Sequence, residues 1–90
     1  MAICVIFEAP GMTQAQYDQV SKEVTPDNKL PAGMLYHVAA PTANGWRVVE
    51  VWESQAVADK FFQDTLGHAL QKAKISVQPD VAQVYKIIKP

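Results

Sequence analysis

The apolar and polar positions along this chain fall into six runs, some with the period of a strand and some with that of a helix. ICVIFE, residues 3–8, is β-branched and aromatic and predicts a first strand, closed by Ala9-Pro10-Gly11. Thr13 with Gln16 three residues on is a capping-box pattern, and Met12 and Tyr17 occupy the two staple positions around it. The helix this starts runs to about Val24, with Tyr17, Val20 and Val24 on one stripe. Thr25-Pro26 ends it, because the residue before a proline is pushed out of the helical region. Residues 34–40 predict a second strand and residues 46–53 a third, joined as an antiparallel hairpin through a turn over residues 41–45. Ser54 is a natural N-cap for a second helix, where Val57, Phe61, Leu66, Ala69 and Leu70 recur at helical spacing. Gly67 costs about 1 kcal/mol in a helix interior and predicts a break or kink, then a short continuation to about Lys74. Residues 81–88 predict the fourth strand.

The order β-α-β-β-α-β, closed by two right-handed crossovers, gives a four-stranded antiparallel sheet with both helices on one face. This is the ferredoxin-like α+β architecture, in a single domain spanning residues 1–90. The opposite face is then bare, although the strands carry apolar residues on both sides. A sheet that is apolar on both faces is covered on both, so a second copy is the expected cover, and the pair forms a homodimeric α/β barrel.

Within GWRVVEVWES, residues 45–54, strand alternation puts Trp46, Val48, Glu50 and Trp52 on one side and Arg47, Val49 and Val51 on the other. Two hairpin registers one residue apart remain open. The preferred one turns Met34, Tyr36 and Val38, with Val49 and Val51, toward the helices. It leaves Leu35, His37, Ala39, Val48, Glu50 and Trp52 on the open face, and so keeps two ionisable groups out of a helix-packed core. The other register places His37 with Val49. In the preferred register His37 and Glu50 lie side by side among apolar residues, as polar groups do in small-molecule sites.

That pair is the candidate acid–base centre: an imidazole titrating near neutrality, held in one tautomer by a carboxylate. Its competing reading is a structural contact inside the barrel. Trp46 and Trp52 would stack on a flat ligand or else fill the core. Leu35, Val48 and Tyr36 complete the candidate wall, with Tyr36 also suited to the core. Tyr17 and Tyr85 read as packing residues.

Composition narrows the function classes. Hydrophobic residues make up 49% and charged ones 19%, with a net charge of −1 and no basic stripe, so nucleic acid is not an expected partner. No apolar run approaches the roughly 20 residues that cross a bilayer, and the N-terminus lacks a basic leader, so no membrane partner and a cytoplasmic location are expected. One cysteine, Cys4, allows no internal disulfide. Two histidines and that cysteine lie far apart, so no metal is expected. There is no phosphate loop and no serine-hydrolase signature.

The segments PGMTQAQYDQV, PAGMLYHVAAPTANGWRVVEVWES and FFQDTLGHALQKA resemble small bacterial proteins of the dimeric α/β-barrel superfamily, in the branch related to antibiotic-biosynthesis monooxygenases (ABM). The resemblance implies an ABM-like ferredoxin-like homodimer with its pocket between helices and sheet, or at the mouth of the barrel. The superfamily includes cofactor-free oxygenases of polycyclic phenols, haem-degrading enzymes, isomerases, decarboxylases and proteins of no assigned role. Trp52 or Trp46 would fill the place of the strand tryptophan common among the oxygenases. The first-strand asparagine of oxygenases and haem-degrading members is missing from ICVIFEA, and only His68 resembles a haem-ligating histidine, so no cofactor is expected and haem least of all. Two functions stay in contention. One is a pocket protein acting on a small aromatic or polyketide-like ligand, as a cofactor-free monooxygenase or isomerase. The other is a non-catalytic ligand-binding or dimeric interaction module.

Overall fold

A computed structural model describes residues 1–90. The strands are β1 (Ile3–Pro10), β2 (Met34–Thr42), β3 (Gly45–Trp52) and β4 (Gln78–Gln83), and the helices are α1 (Gln14–Val24), α2 (Gln55–Phe61) and α3 (Gly67–Ala73). The sheet is four-stranded and antiparallel in the order β2-β3-β1-β4, the ferredoxin-like arrangement. No helix is long and apolar enough to cross a membrane.

The local signals read from the sequence operate as physical caps. Thr13 Oγ1 accepts from the Gln16 backbone N–H at 3.2 Å, and the Thr13 N–H donates to Gln16 Oε1 at 3.0 Å. Ser54 Oγ accepts from the Val57 N–H at 3.3 Å and starts α2. The hairpin is tighter than the sequence indicated: Thr42 pairs with Gly45, leaving Ala43 and Asn44 as a two-residue connection. Gly45 is required there, because a Cβ would lie 2.2 Å from the Ala9 carbonyl oxygen.

Two expectations need correction. The fourth strand ends at Gln83 instead of continuing to Ile88, because Gln83 already pairs with Ile3, the first residue of β1. Pro79 falls inside this strand without penalty since β4 is an edge, where a missing N–H leaves no ladder bond unmade. The second helix is also unbroken at Gly67, which keeps helical angles (φ −58°, ψ −41°). The irregularity lies just before it. Residues Phe62–Leu66 form one π turn between α2 and α3, in which the Gly67 N–H donates to the Phe62 carbonyl. An extra residue in that turn brings both Phe61 and Phe62 to the sheet side: Phe61 packs on Trp52 with centroids 5.2 Å apart, and Phe62 on Phe7 at 6.5 Å.

Ile3, Val5, Phe7 and Ala9 of β1 point toward the helices and meet Val20, Val24, Leu66, Ala69, Leu70 and Ala73 in one core. Because Val5 pairs with Glu50 and Ile3 with Trp52, the whole Trp46–Val48–Glu50–Trp52 side of β3 faces the helices as well. The preferred face assignment is therefore inverted: Val49 and Val51, with Tyr36 and Val38, lie on the open side.

At Gly67 a side chain meets backbone. An added Cβ would sit 2.9 Å from the Phe62 carbonyl oxygen. Gly67→Ala should therefore lower stability by about 1–2 kcal/mol in denaturant melts, the cost of overpacking, where an ordinary helical glycine would gain about 1 kcal/mol.

Candidate active site

Four side chains from three elements form a continuous hydrogen-bonded row under the helices. β3 supplies Glu50 and Trp52, β2 supplies His37 opposite Glu50, and the capped first turn of α1 places Tyr17 against His37. The Trp52 indole N–H donates to Glu50 Oε1 at 3.0 Å. Glu50 Oε2 lies 3.0 Å from His37 Nδ1, and His37 Nε2 lies 2.9 Å from the Tyr17 hydroxyl. Glu50 is 5% exposed and Trp52 2%, so the carboxylate is held away from water by specific partners.

The donors set the proton positions. A carboxylate only accepts, so the proton facing Oε2 belongs to His37 Nδ1. In the neutral imidazole Nε2 then accepts from the Tyr17 O–H. In the imidazolium Nε2 donates to the Tyr17 oxygen instead. Burial pushes the Tyr17 hydroxyl above its ordinary pKa; the nearby Ser21 hydroxyl opposes this, and the negative charges of Glu50 and Asp18 add to it. Tyr17 thus keeps its proton as a neutral partner of the histidine. Trp46 stacks on the Tyr17 ring, with centroids 5.3 Å apart and planes 18° from parallel. The buried Trp46 Nε1 has no hydrogen-bond partner, so Trp46 meets its neighbours through ring contact alone.

Two cavities flank the row, and Glu50 lines both. The larger, about 220 Å³, lies between the sheet and the α2–α3 rod; Ile3, Val5, Trp52, Phe61, Phe62 and Leu66 make its apolar wall. The smaller, about 40 Å³, lies under α1 and is lined by His37, Tyr17 and Val48 among others. Only the first has room for an organic ring. An engineered cavity of roughly 150 Å³ takes up benzene, whereas a space of some tens of Å³ holds a water or two.

The residues singled out in the sequence divide accordingly. His37 and Glu50 are brought together, and Trp52 joins them. Val48 lines the smaller cavity, and Trp46 supports Tyr17. Tyr36 and Leu35 are not part of this site. Tyr36 faces the open side with Lys89 Nζ 5.9 Å above its ring, and Leu35 is the extra residue of a β-bulge between Met34 and Tyr36. Arg47 and Glu8, cross-strand partners on that open side, pair with each other. Tyr17 was missed: its staple position and its place on the apolar stripe with Val20 and Val24 gave it the signature of a packing residue. No three His, Cys, Asp or Glu side chains converge as a metal-binding group.

No family model and no curated protein sequence matches the chain. Among solved structures, that of a putative antibiotic biosynthesis monooxygenase from Deinococcus radiodurans aligns with a TM-score of 0.68 at 11% identity, covering 100% of this chain and 98% of that one. The likeness that the sequence motifs suggested is thus present in three dimensions, as a likeness of fold.

The raised pKa of Tyr17 has a signed consequence. The folded state favours the neutral hydroxyl, so this contribution is intact below pH about 10, the ordinary tyrosine value. It is lost as pH climbs through the raised value. Tyr17→Phe should cost about 1 kcal/mol at neutral pH, one hydrogen bond, and remove that alkaline component from urea-melt stabilities recorded between neutral and strongly alkaline pH.

Proposed function

We propose that the protein binds a small flat organic molecule with an acidic hydrogen in the cavity beside Trp52, and that Glu50 accepts that hydrogen as a proton. The observation that supports this is a buried carboxylate lining an apolar space of about 220 Å³. Each carboxylate oxygen keeps a lone pair beyond the one used by Trp52 or His37, so Glu50 is held from behind and remains able to accept. This exchanges the roles expected from the sequence. Glu50 faces the substrate, and His37, which does not line the larger cavity, orients it with Tyr17.

The reaction class is cofactor-independent oxidation or isomerisation of an aromatic or polyketide-like compound. Both begin with removal of a proton from oxygen or from carbon beside a carbonyl, work that a positioned carboxylate performs in an apolar pocket. The resulting anion then reacts with dioxygen or is reprotonated at another carbon. The cavity's contribution is to hold the ring against Trp52 and Phe61 and to exclude water. Neither metal nor haem enters this reading: both ring nitrogens of His37 are engaged, and His68 stands exposed on α3.

A non-catalytic binding module is the second reading, favoured by how fully Trp52 is packed against Phe61. Solvent-exchange NMR on bound naphthols and β-diketones separates the two. Glu50→Gln should slow proton exchange by about 10²–10⁴-fold, the usual worth of a general base, with binding retained. Exchange unchanged by Glu50→Gln would leave Glu50 a structural group and favour the module.

We also infer that two copies join through the open sheet face. Ile6, Val49 and Val51 are half-buried there, while Val38 is 59% exposed and Tyr36 38%. An apolar sheet face of this kind is ordinarily covered. Sedimentation equilibrium should report a dimer for the wild type and a monomer for Val38→Asp; a wild-type monomer at all concentrations would refute the pairing.

A further inference from the structure

We propose that the ligand site continues past Phe62 into a polar subsite on the surface of α3, so that its ligand is a flat ring system bearing an uncharged hydrogen-bonding extension. This rests on reading the cavity beside Trp52 as the ligand site.

Phe62 and Gln63 line both that cavity and a surface groove of about 470 Å³ on its far side. The two spaces therefore share a wall, to which Phe62 contributes an aromatic ring and Gln63 an amide. That ring is unusual for a core partition: it is 37% exposed, and the one aromatic ring it stacks on is Phe7, at 6.5 Å. Rotation of a partly exposed side chain takes only picoseconds to nanoseconds, so the wall can open without moving backbone.

The backbone there is built to seat the ring. The π turn carries Phe62, and the Gly67 N–H holds its carbonyl. A Cβ at Gly67 would come within 3.7 Å of the ring at Cε1 and 2.9 Å of that carbonyl oxygen. π turns recur at functional sites for this reason: they displace one side chain from the helical register into a site.

The chemistry of the groove differs from that of the cavity. Its polar lining consists of Gln63, His68, Gln71 and Ser76, with no carboxylate, lysine or arginine among the lining residues. Amides, an imidazole and a hydroxyl offer both donors and acceptors. They suit a carbonyl, hydroxyl or carboxamide, and give no cationic cluster for a phosphate. An inner end that is mostly apolar around the buried Glu50 carboxylate, with the exposed Asp59 also in its lining, and an outer end that is neutral and hydrogen-bonding, together select a ring with an acidic hydrogen at one end and a neutral polar group at the other.

Calorimetric titration with 2-naphthol and with 6-hydroxy-2-naphthamide tests this. The carboxamide should bind at least tenfold more tightly. Gln71→Ala and Ser76→Ala, exposed positions outside the core, should erase that preference and leave 2-naphthol unchanged. Phe62→Ala should bring 2-anthrol, one ring longer, up to the affinity of 2-naphthol. Equal affinities for the two naphthols, or a preference that survives both groove variants, would overturn the subsite and leave the inner cavity standing. If none of the probes binds, the cavity reading fails and the subsite falls with it.

Discussion

The arrangement of the sheet depends on one buried carboxylate. Glu50 is the one buried ionisable group, and an unpartnered charge there would cost several kcal/mol. Its oxygens are instead met by the Trp52 indole N–H and by His37 Nδ1. Both bonds need their donors on the same face of the sheet, so the partnership fixes which sides of β2 and β3 turn inward. The same constraint reaches α1. With Nδ1 committed to Glu50, His37 Nε2 needs a partner from above, and Tyr17 on the helix supplies it. A row of four polar side chains therefore ties both sheet strands and a helix into one geometry.

This explains what could and could not be read from the residues alone. Element identity was legible because it is written locally: Thr13 and Gln16 as a cap, Ser54 as a cap, β-branched runs as strands. The His37–Glu50 neighbourhood was legible too, since hairpin pairing places the two opposite each other in the preferred register. The choice of face was read backwards. The rule that ionisable groups avoid a helix-packed core assumes that they would be unpaired there, and Tyr17, some twenty residues before His37, was not visible as a partner. A tyrosine on an apolar stripe carries the same periodic signal whether or not its hydroxyl is used. The bulge at Leu35, which returns Met34 to the inner face, has no glycine or proline to announce it. Likewise, FFQDTLG shows a helical pattern with a glycine at its end, and nothing in that pattern distinguishes a widened turn from a break.

Glu50 also divides the interior. On one side is an apolar space of ring size, about 220 Å³, and on the other a space of about 40 Å³ beside the imidazole and phenol. On the proposed reading, a carboxylate that lines the cavity and is held at both oxygens, by Trp52 and His37, keeps its orientation when a ligand arrives. Had His37 faced the larger cavity, its ring would have been held through Nδ1 alone, with the other nitrogen free to be hydrated. The observed order places the stiffer group, a carboxylate anchored at both oxygens, on the larger cavity.

A ninety-residue domain has little core to spare, and this one gives part of it to polar groups and empty volume. The apolar surface it retains lies outside, on the open sheet face with Tyr36 and Val38. Covering that face by a second copy would supply burial the monomer lacks without touching the hydrogen-bonded row, because alternate residues of β2 serve the two sides: His37 and Ala39 inward, Tyr36 and Val38 outward. The proposed association and the proposed ligand chemistry would thus occupy opposite faces of the same strands. On that proposal a substitution at an even-numbered position between Tyr36 and Ala40 would act on association, and one at an odd-numbered position on the ligand site.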